Sequence, residues 1–272
     1  MATRRVLAEL ASYAQAAGLP ALEIESVGGV DAAARVASGE PFDLVFLAAD
    51  ALARLAGAGH VVPASVTPLL LSQTAVAVPS GAGDPADAHR AVGAGAGDFG
   101  AGYRGAADSG VMDSGAAASG AADSGVAAPI DAAGGIAPAF PDAAAMRDAL
   151  RATSRIGYST GPSGTALLRL VEQWGLSDEL HGRLVQARPG IPVARSLANG
   201  DVDLGFQQLS ELVGADGVRI LGVLPTDCAI DTVFAGAVAS AAADAAAAAD
   251  MLEFLHVATR RGAAAAHSFI AL

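Results

Sequence analysis

The turn Gly161-Pro162-Ser163-Gly164 joins an expected strand to an expected helix, and its residue types suit the capture of a small anion. Glycine has no Cβ, so the backbone there can approach a bound group closely. The first N–H groups of a helix have no intrahelical acceptor and point at whatever lies beyond that end. Ser163 would add a hydroxyl donor. The plainer reading of the same letters is an ordinary connection in which Ser163 caps the helix. Val27-Gly28-Gly29-Val30 repeats the strand–glycine–helix form, with a tight connection as its plain alternative. Phe206-Gln207-Gln208 ends an apolar strand in two amides, either of which can bond a carboxylate or oxyanion without adding charge. The alternative there is a solvent-facing Gln208. In open α/β sheets ligands sit beyond the strand C-termini, where all three segments would lie.

Other chemistries lack their residues. The 16 basic residues are all arginine, so Schiff-base lysine chemistry and a phosphate loop ending in Lys-Ser/Thr are excluded. Cys228 is the only cysteine, and the five histidines lie far apart, which leaves no cysteine cluster and no helical pair of metal ligands. No cofactor and no metal are expected. There is no Gly-x-Ser-x-Gly elbow. Gly95-x-Gly97-x-x-Gly100 matches a dinucleotide fingerprint by letters only, since it neither follows a strand nor opens a helix. Asp31 and Asp50 read as helix-start residues. With 28 acidic residues the net charge is −12, which argues against nucleic-acid binding and against a polybasic membrane surface. No apolar run approaches the roughly 20 residues that span a bilayer, so no membrane insertion is expected. Glu9 interrupts Val6–Gln15, so the N-terminal segment reads as an amphipathic helix rather than an export signal. As written, the chain is expected in the cytoplasm; an upstream start encoding a signal would place it in the periplasm.

These residues must be positioned by alternating strands and helices. Helices are expected over 4–17, 30–37, 50–58, 142–153, 165–174, 193–199 and 241–256. Strands are expected over 22–27, 42–47, 74–79, 155–159, 184–186, 204–208, 218–223 and 232–238. Phe42–Leu47 is nearly continuous in apolar residues, as a buried parallel strand would be. The alternation implies an α/β protein with parallel sheets. Between 108 and 127 a five-residue unit recurs, as in Asp113-Ser114-Gly115-Ala116-Ala117 and Asp123-Ser124-Gly125-Val126-Ala127. It carries too little apolar area to offset its ordering entropy, so 92–139 is expected to be a disordered insertion.

Several blocks, in order, resemble a known family: Ser26-Val27-Gly28-Gly29-Val30-Asp31, Ser38-Gly39-Glu40-Pro41-Phe42-Asp43-Leu44-Val45, Gly59-His60-Val61-Val62-Pro63, Tyr158–Gly164 and Gly205–Leu212. Together they are similar to the molybdate-binding-protein-like branch of the type II periplasmic solute-binding superfamily, which also includes aconitate isomerases. The resemblance implies a two-lobe α/β clamshell, with lobe I at 1–79 plus 225–272 and lobe II at 80–224. It implies ligand contacts from Gly28, Gly29 and Val30 in one lobe and from Ser163, Gly164 and Gln207 in the other. The implied ligand is a small anion, either a molybdate-like oxyanion or a small carboxylate, and an ABC-transporter permease is the implied partner if the chain is exported. A monomer is expected. The enzyme alternative is an aconitate-isomerase-like allylic proton transfer, for which Tyr158, Asp50 and Glu211 are the candidate bases. The family opens on a strand with a serine turn ahead of its first helix. This chain opens at the helix, so that first strand is expected to be missing.

Overall fold

The computed structural model describes residues 3–83, 129–130, 136–188 and 190–272. Its spine is β2, Thr67–Pro79, which is longer than the expected 74–79 because Thr67–Gln73 extends it backwards. The first half of β2 pairs antiparallel with β7, Asp231–Val238, and with the short β8, Ile270–Ala271. Its second half pairs antiparallel with β5, Leu204–Gln208, and β6, Val218–Val223. β1, Leu44–Ala48, lies beyond β7, while β3, Ile156–Tyr158, and β4, Leu184–Gln186, lie beyond β5. The path is β1-β7-β2-β5-β3-β4, so one strand carries the chain from one half of the sheet to the other.

Each half is covered on both faces. In the first, α1 (Arg4–Ala16) and α8 (Ala245–Ala258) bury Val6, Leu10, Leu252 and Leu255 against Leu69 and Leu70 of β2. α2 (Gly29–Ala37) and α3 (Ala49–Gly57) close the other face over Val45 and Leu47. In the second half, α4 (Ala143–Ala152) and α5 (Pro162–Gln173) pack Met146, Leu150 and Leu167 on Phe206 and Val76. α6 (Val193–Ala198) and the single turn α7 (Leu209–Leu212) pack Val193, Leu197 and Leu212 on Ala75 and Ala77. α6 lies unusually close to the sheet: a Cβ on Gly205 would stand 2.7 Å from both Leu197 and Val193.

Three expectations are corrected. Leu22–Val27 alternates like a strand but carries no ladder; its Glu25 is held instead by Arg35 of α2, Oε2 to Nη1 2.6 Å. β1 is not a parallel strand: it pairs antiparallel with β7. Parallel pairing is confined, among the described residues, to β3 with β4 and β3 with β5 and one isolated bridge, because β2, β6 and β7 run against their neighbours. The pentapeptide repeat and most of the expected 92–139 insertion lie outside the described residues. The last residues of that span are described and paired: Ala139 N–H donates to Val223 O (2.8 Å), and Val223 N–H donates to Ala137 O (3.0 Å).

Candidate anion site at the α5 N-terminus

α5 starts earlier than the sequence suggests, with Gly161 as its N-cap and Pro162 in its first turn. Proline has no N–H to leave unpaired and its fixed φ suits that position. No side chain caps the helix, so the N–H groups of Ser163 and Gly164 stay open toward the end of the sheet. Ser163 does not cap its own helix. It is buried, and its Oγ lies 3.0 Å from the Oγ of Ser159, the residue after β3. The two hydroxyls form a pair at the first turn of a twelve-residue helix.

Gly164 is required by packing. A Cβ there would lie 1.8 Å from the carbonyl oxygen of Ser159 and 2.8 Å from its carbon. The helix can rest on the β3 turn only if residue 164 has no side chain.

The two glutamines at the end of β5 have different partners. Gln207 faces α6: its Oε1 accepts from the Val193 N–H (2.8 Å) and its Nε2 donates to Glu211 Oε2 (2.6 Å). Both ends of that amide are engaged, so Gln207 fixes the first turn of α6 and ties it to α7. Gln208 lies one residue on and faces the other way, on the α4–α5 side shared by Leu204 and Phe206. It is buried, and its Nε2 has no partner among the described residues. An unpaired donor in that position costs about 1–3 kcal/mol unless something is brought to it.

The Gly28–Val30 turn is differently placed. Gly28 is the N-cap of α2, without a side-chain cap bond, and Val30 is exposed. Asp31 leans back over this end: a Cβ on Gly28 would lie 3.2 Å from its Oδ2. A carboxylate there already complements the positive helix end and repels a second anion. α2 packs on β1 and α3, whereas α5 packs on β3 and β5, so the two turns stand on opposite halves of the sheet.

Some polar residues carried no local signal. Thr74 stands opposite Gln208 in the β2–β5 register, and Ser72 stands opposite Thr232 in the β2–β7 register. Asp231 pairs with Gln73, and partial loss of solvent pushes its carboxyl above the usual range. Cys228 is buried with its Sγ 3.7 Å from Met146 Sδ, and burial raises its thiol to about 11. Of the candidate bases, Asp50 is paired with Arg54 (2.9 Å) and Glu211 receives the Gln207 amide. Among the described residues no cluster of three His, Cys, Asp or Glu side chains could hold a metal ion.

With this geometry in hand, the relatives are informative. The profile of bacterial extracellular solute-binding proteins matches residues 1–269. The chain belongs to that family. A substrate-binding domain from Clostridium difficile superposes with a TM-score of 0.62 at 15% identity, covering 100% of this chain and 95% of that one. The periplasmic molybdate-binding protein of Azotobacter vinelandii superposes at 0.61 with 18% identity, covering 98% and 95%. At these identities the likeness establishes the fold, the two-lobe clamshell of periplasmic binding proteins. An aconitate isomerase from a Pseudomonas species is 32% identical over 111 residues, 41% of this chain and 42% of that protein, so the match spans less than half of that enzyme. No helix among the described residues of this solute-binding protein is long and apolar enough to cross a membrane.

Proposed function

We propose that this solute-binding protein captures a small anion at the first turn of α5, between its two lobes, and delivers it to an ABC-transporter permease. The observation that carries the reading is the uncapped α5 terminus with the buried, unpartnered Gln208 amide on the same side of the sheet. The Ser163 and Gly164 N–H groups, the Ser159–Ser163 hydroxyls and the Gln208 amide are all neutral donors. Such donors suit an anion that arrives hydrated and must leave again. The extracellular character of the family and the molybdate-binding role of the Azotobacter protein support delivery of an external anion. Gly28–Val30 belongs to this reading only if closure of the lobes brings α2 across and moves Asp31 off its terminus.

Calorimetric titration with molybdate, tungstate, sulfate and citrate tests the site. Ser163→Ala removes one donor and is expected to weaken whichever anion binds by about 1–3 kcal/mol. If Ser163→Ala and Gln208→Leu both bind as the wild type does, the anion lies elsewhere.

The match to an aconitate isomerase favours one second reading, catalysis of allylic proton transfer in the same cleft. Incubation with trans-aconitate and chromatographic detection of the cis isomer tests it. Turnover that survives Tyr158→Phe, Asp50→Asn and Glu211→Gln would exclude all three as the base.

A further inference from the structure

Four buried side-chain polar atoms have no hydrogen-bond partner among the described residues: Ser72 Oγ, Thr74 Oγ1, Gln208 Nε2 and Ser210 Oγ. Three of them, on β2 and β5, are grouped. Thr74 and Gln208 are directly opposite in the antiparallel β2–β5 ladder, so their side chains project from the same face. Ser72 lies two residues earlier on β2 and shares that face by the period of the strand. Ser210 stands apart from them: it lies in α7, which packs through Leu209 and Leu212 on the opposite, Ala75–Ala77 face. Ser72, Thr74 and Gln208 are only 0%, 1% and 5% exposed. They sit where β2 leaves β7 and takes up β5, which is the crossing between the two halves of the sheet.

An unpaired buried polar atom is costly, and native proteins seldom leave three together. All three can donate a hydrogen bond, and two are hydroxyls that rotate to suit a partner. The complement of such a set is an acceptor-only group, and a carboxylate offers two oxygens with about four acceptor positions. The set is also displaced from the α5 donors. Ser159 follows β3 and Thr74 lies on β2, with β5 between them, so the two donor groups are about two strand spacings, roughly 10 Å, apart. A tetrahedral oxyanion is smaller than one such spacing and cannot engage both.

We infer that the ligand is an extended di- or tricarboxylate, with one acidic group at the α5 turn and a second in the slot formed by Ser72, Thr74 and Gln208. This rests on the anion-binding reading above and narrows it. Gln208 stands on β5, the strand between Thr74 on β2 and the turn after β3. The slot is closed in this structure, so the ligand enters when the crossing segments open, and its second carboxylate then bonds the atoms left unpaired.

The test uses Thr74→Val and Ser72→Ala, which remove donors while nearly preserving shape. Each is titrated calorimetrically with citrate, tricarballylate and trans-aconitate, and with molybdate and sulfate. Melting temperatures are measured without ligand. The wild type is expected to bind at least one of the carboxylates. Thr74→Val is expected to weaken it roughly tenfold or more and to raise the ligand-free melting temperature by about 2–4 °C, because an unpaired buried hydroxyl is gone. Ser72→Ala gives the same pair of signs on a smaller scale and serves should Thr74→Val fail to fold. Carboxylate binding that is equal in wild type and both variants overturns the inference and leaves the slot to water. Binding of only molybdate or sulfate, unaffected by either variant, overturns it while leaving the anion site at α5 intact. No binding of any probe by the wild type overturns both.

Discussion

At the scale of the residue, the first turn of α5 sets two neighbouring residues to different tasks. Ser163 and Gly164 stand out from their letters, yet their roles differ. Ser163 contributes a hydroxyl to a pair with Ser159, while Gly164 is held to glycine by the Ser159 carbonyl. Gly164→Ala is therefore expected to lower stability by about 1–3 kcal/mol or more in the absence of any ligand, as overpacking does. Chemical denaturation of the ligand-free protein measures this, and an unchanged midpoint would show that the turn can yield. Gln207 and Gln208 are adjacent and chemically identical. Only the alternation of β5 sends one to Val193 and Glu211 and leaves the other unpaired. Cys228 illustrates the same point with a measurable consequence. Its thiol is buried beside Met146 and raised to about 11, so little thiolate exists at neutral pH. Maleimide labelling at pH 7 should be slow in the native state and become rapid in denaturant; fast native labelling would contradict the packing around α4.

At the scale of the element, most helices and strands were legible because their periodicity is local. The failures share one cause: they depend on a partner that the local pattern does not contain. Leu22–Val27 has the right alternation, but a strand needs a neighbour, and here Arg35 holds the segment through Glu25. The sequence pattern starts α8 at Ala241 because Ala241–Ala249 has no amphipathic period to mark the boundary. The structure places it at Ala245, where Asp244 accepts from the Ala246 and Ala247 N–H groups (3.1 and 3.0 Å). α1 shows how a distant partner secures an element. Glu9 accepts from the Tyr13 hydroxyl on its own helix and lies 2.6 Å from His267 Nε2 near the C-terminus. The Tyr13 hydroxyl first, and His267 second, hold the Glu9 carboxyl below its ordinary value. A depressed carboxyl stabilises the fold above its unfolded pKa, about 4.3, and that stabilisation is lost as pH falls through the lower folded value. The wild type is thus expected to lose stability more steeply than Glu9→Gln on acidification below about pH 4.3. Thermal melts at stepped pH compare the two, and parallel curves would mean that the pair contributes nothing.

At the scale of the whole molecule, the two halves of the sheet are unequal. The second half has helices on both faces, and its central strands have neighbours on both sides. The first half ends at β1, which is covered on both faces yet has no strand beyond it among the described residues. In an antiparallel ladder, bonded pairs alternate along the strand. Ala239 N–H donates to Asp43 O, so the main-chain groups of Val45 and Leu47 face β7 while those of Leu44 and Phe46 point out at the open edge. Leu22–Val27 carries no ladder and is tied through Glu25 and Arg35 to α2, which packs on β1, and Ile24, Val27 and Val30 leave apolar surface exposed. An open edge beside exposed apolar side chains is a place for one more strand and a hazard for association. A chain carrying one additional apolar-alternating strand and a short turn ahead of α1 is therefore expected to melt at higher temperature. Each ladder bond contributes about 1 kcal/mol net, and each kcal/mol raises the melting temperature of a domain this size by roughly 2–4 °C. The gain should coincide with slower amide exchange at Leu44, Phe46 and residues 22–27. An unchanged melting temperature with unchanged exchange at those amides would show that the edge of β1 is complete as it stands.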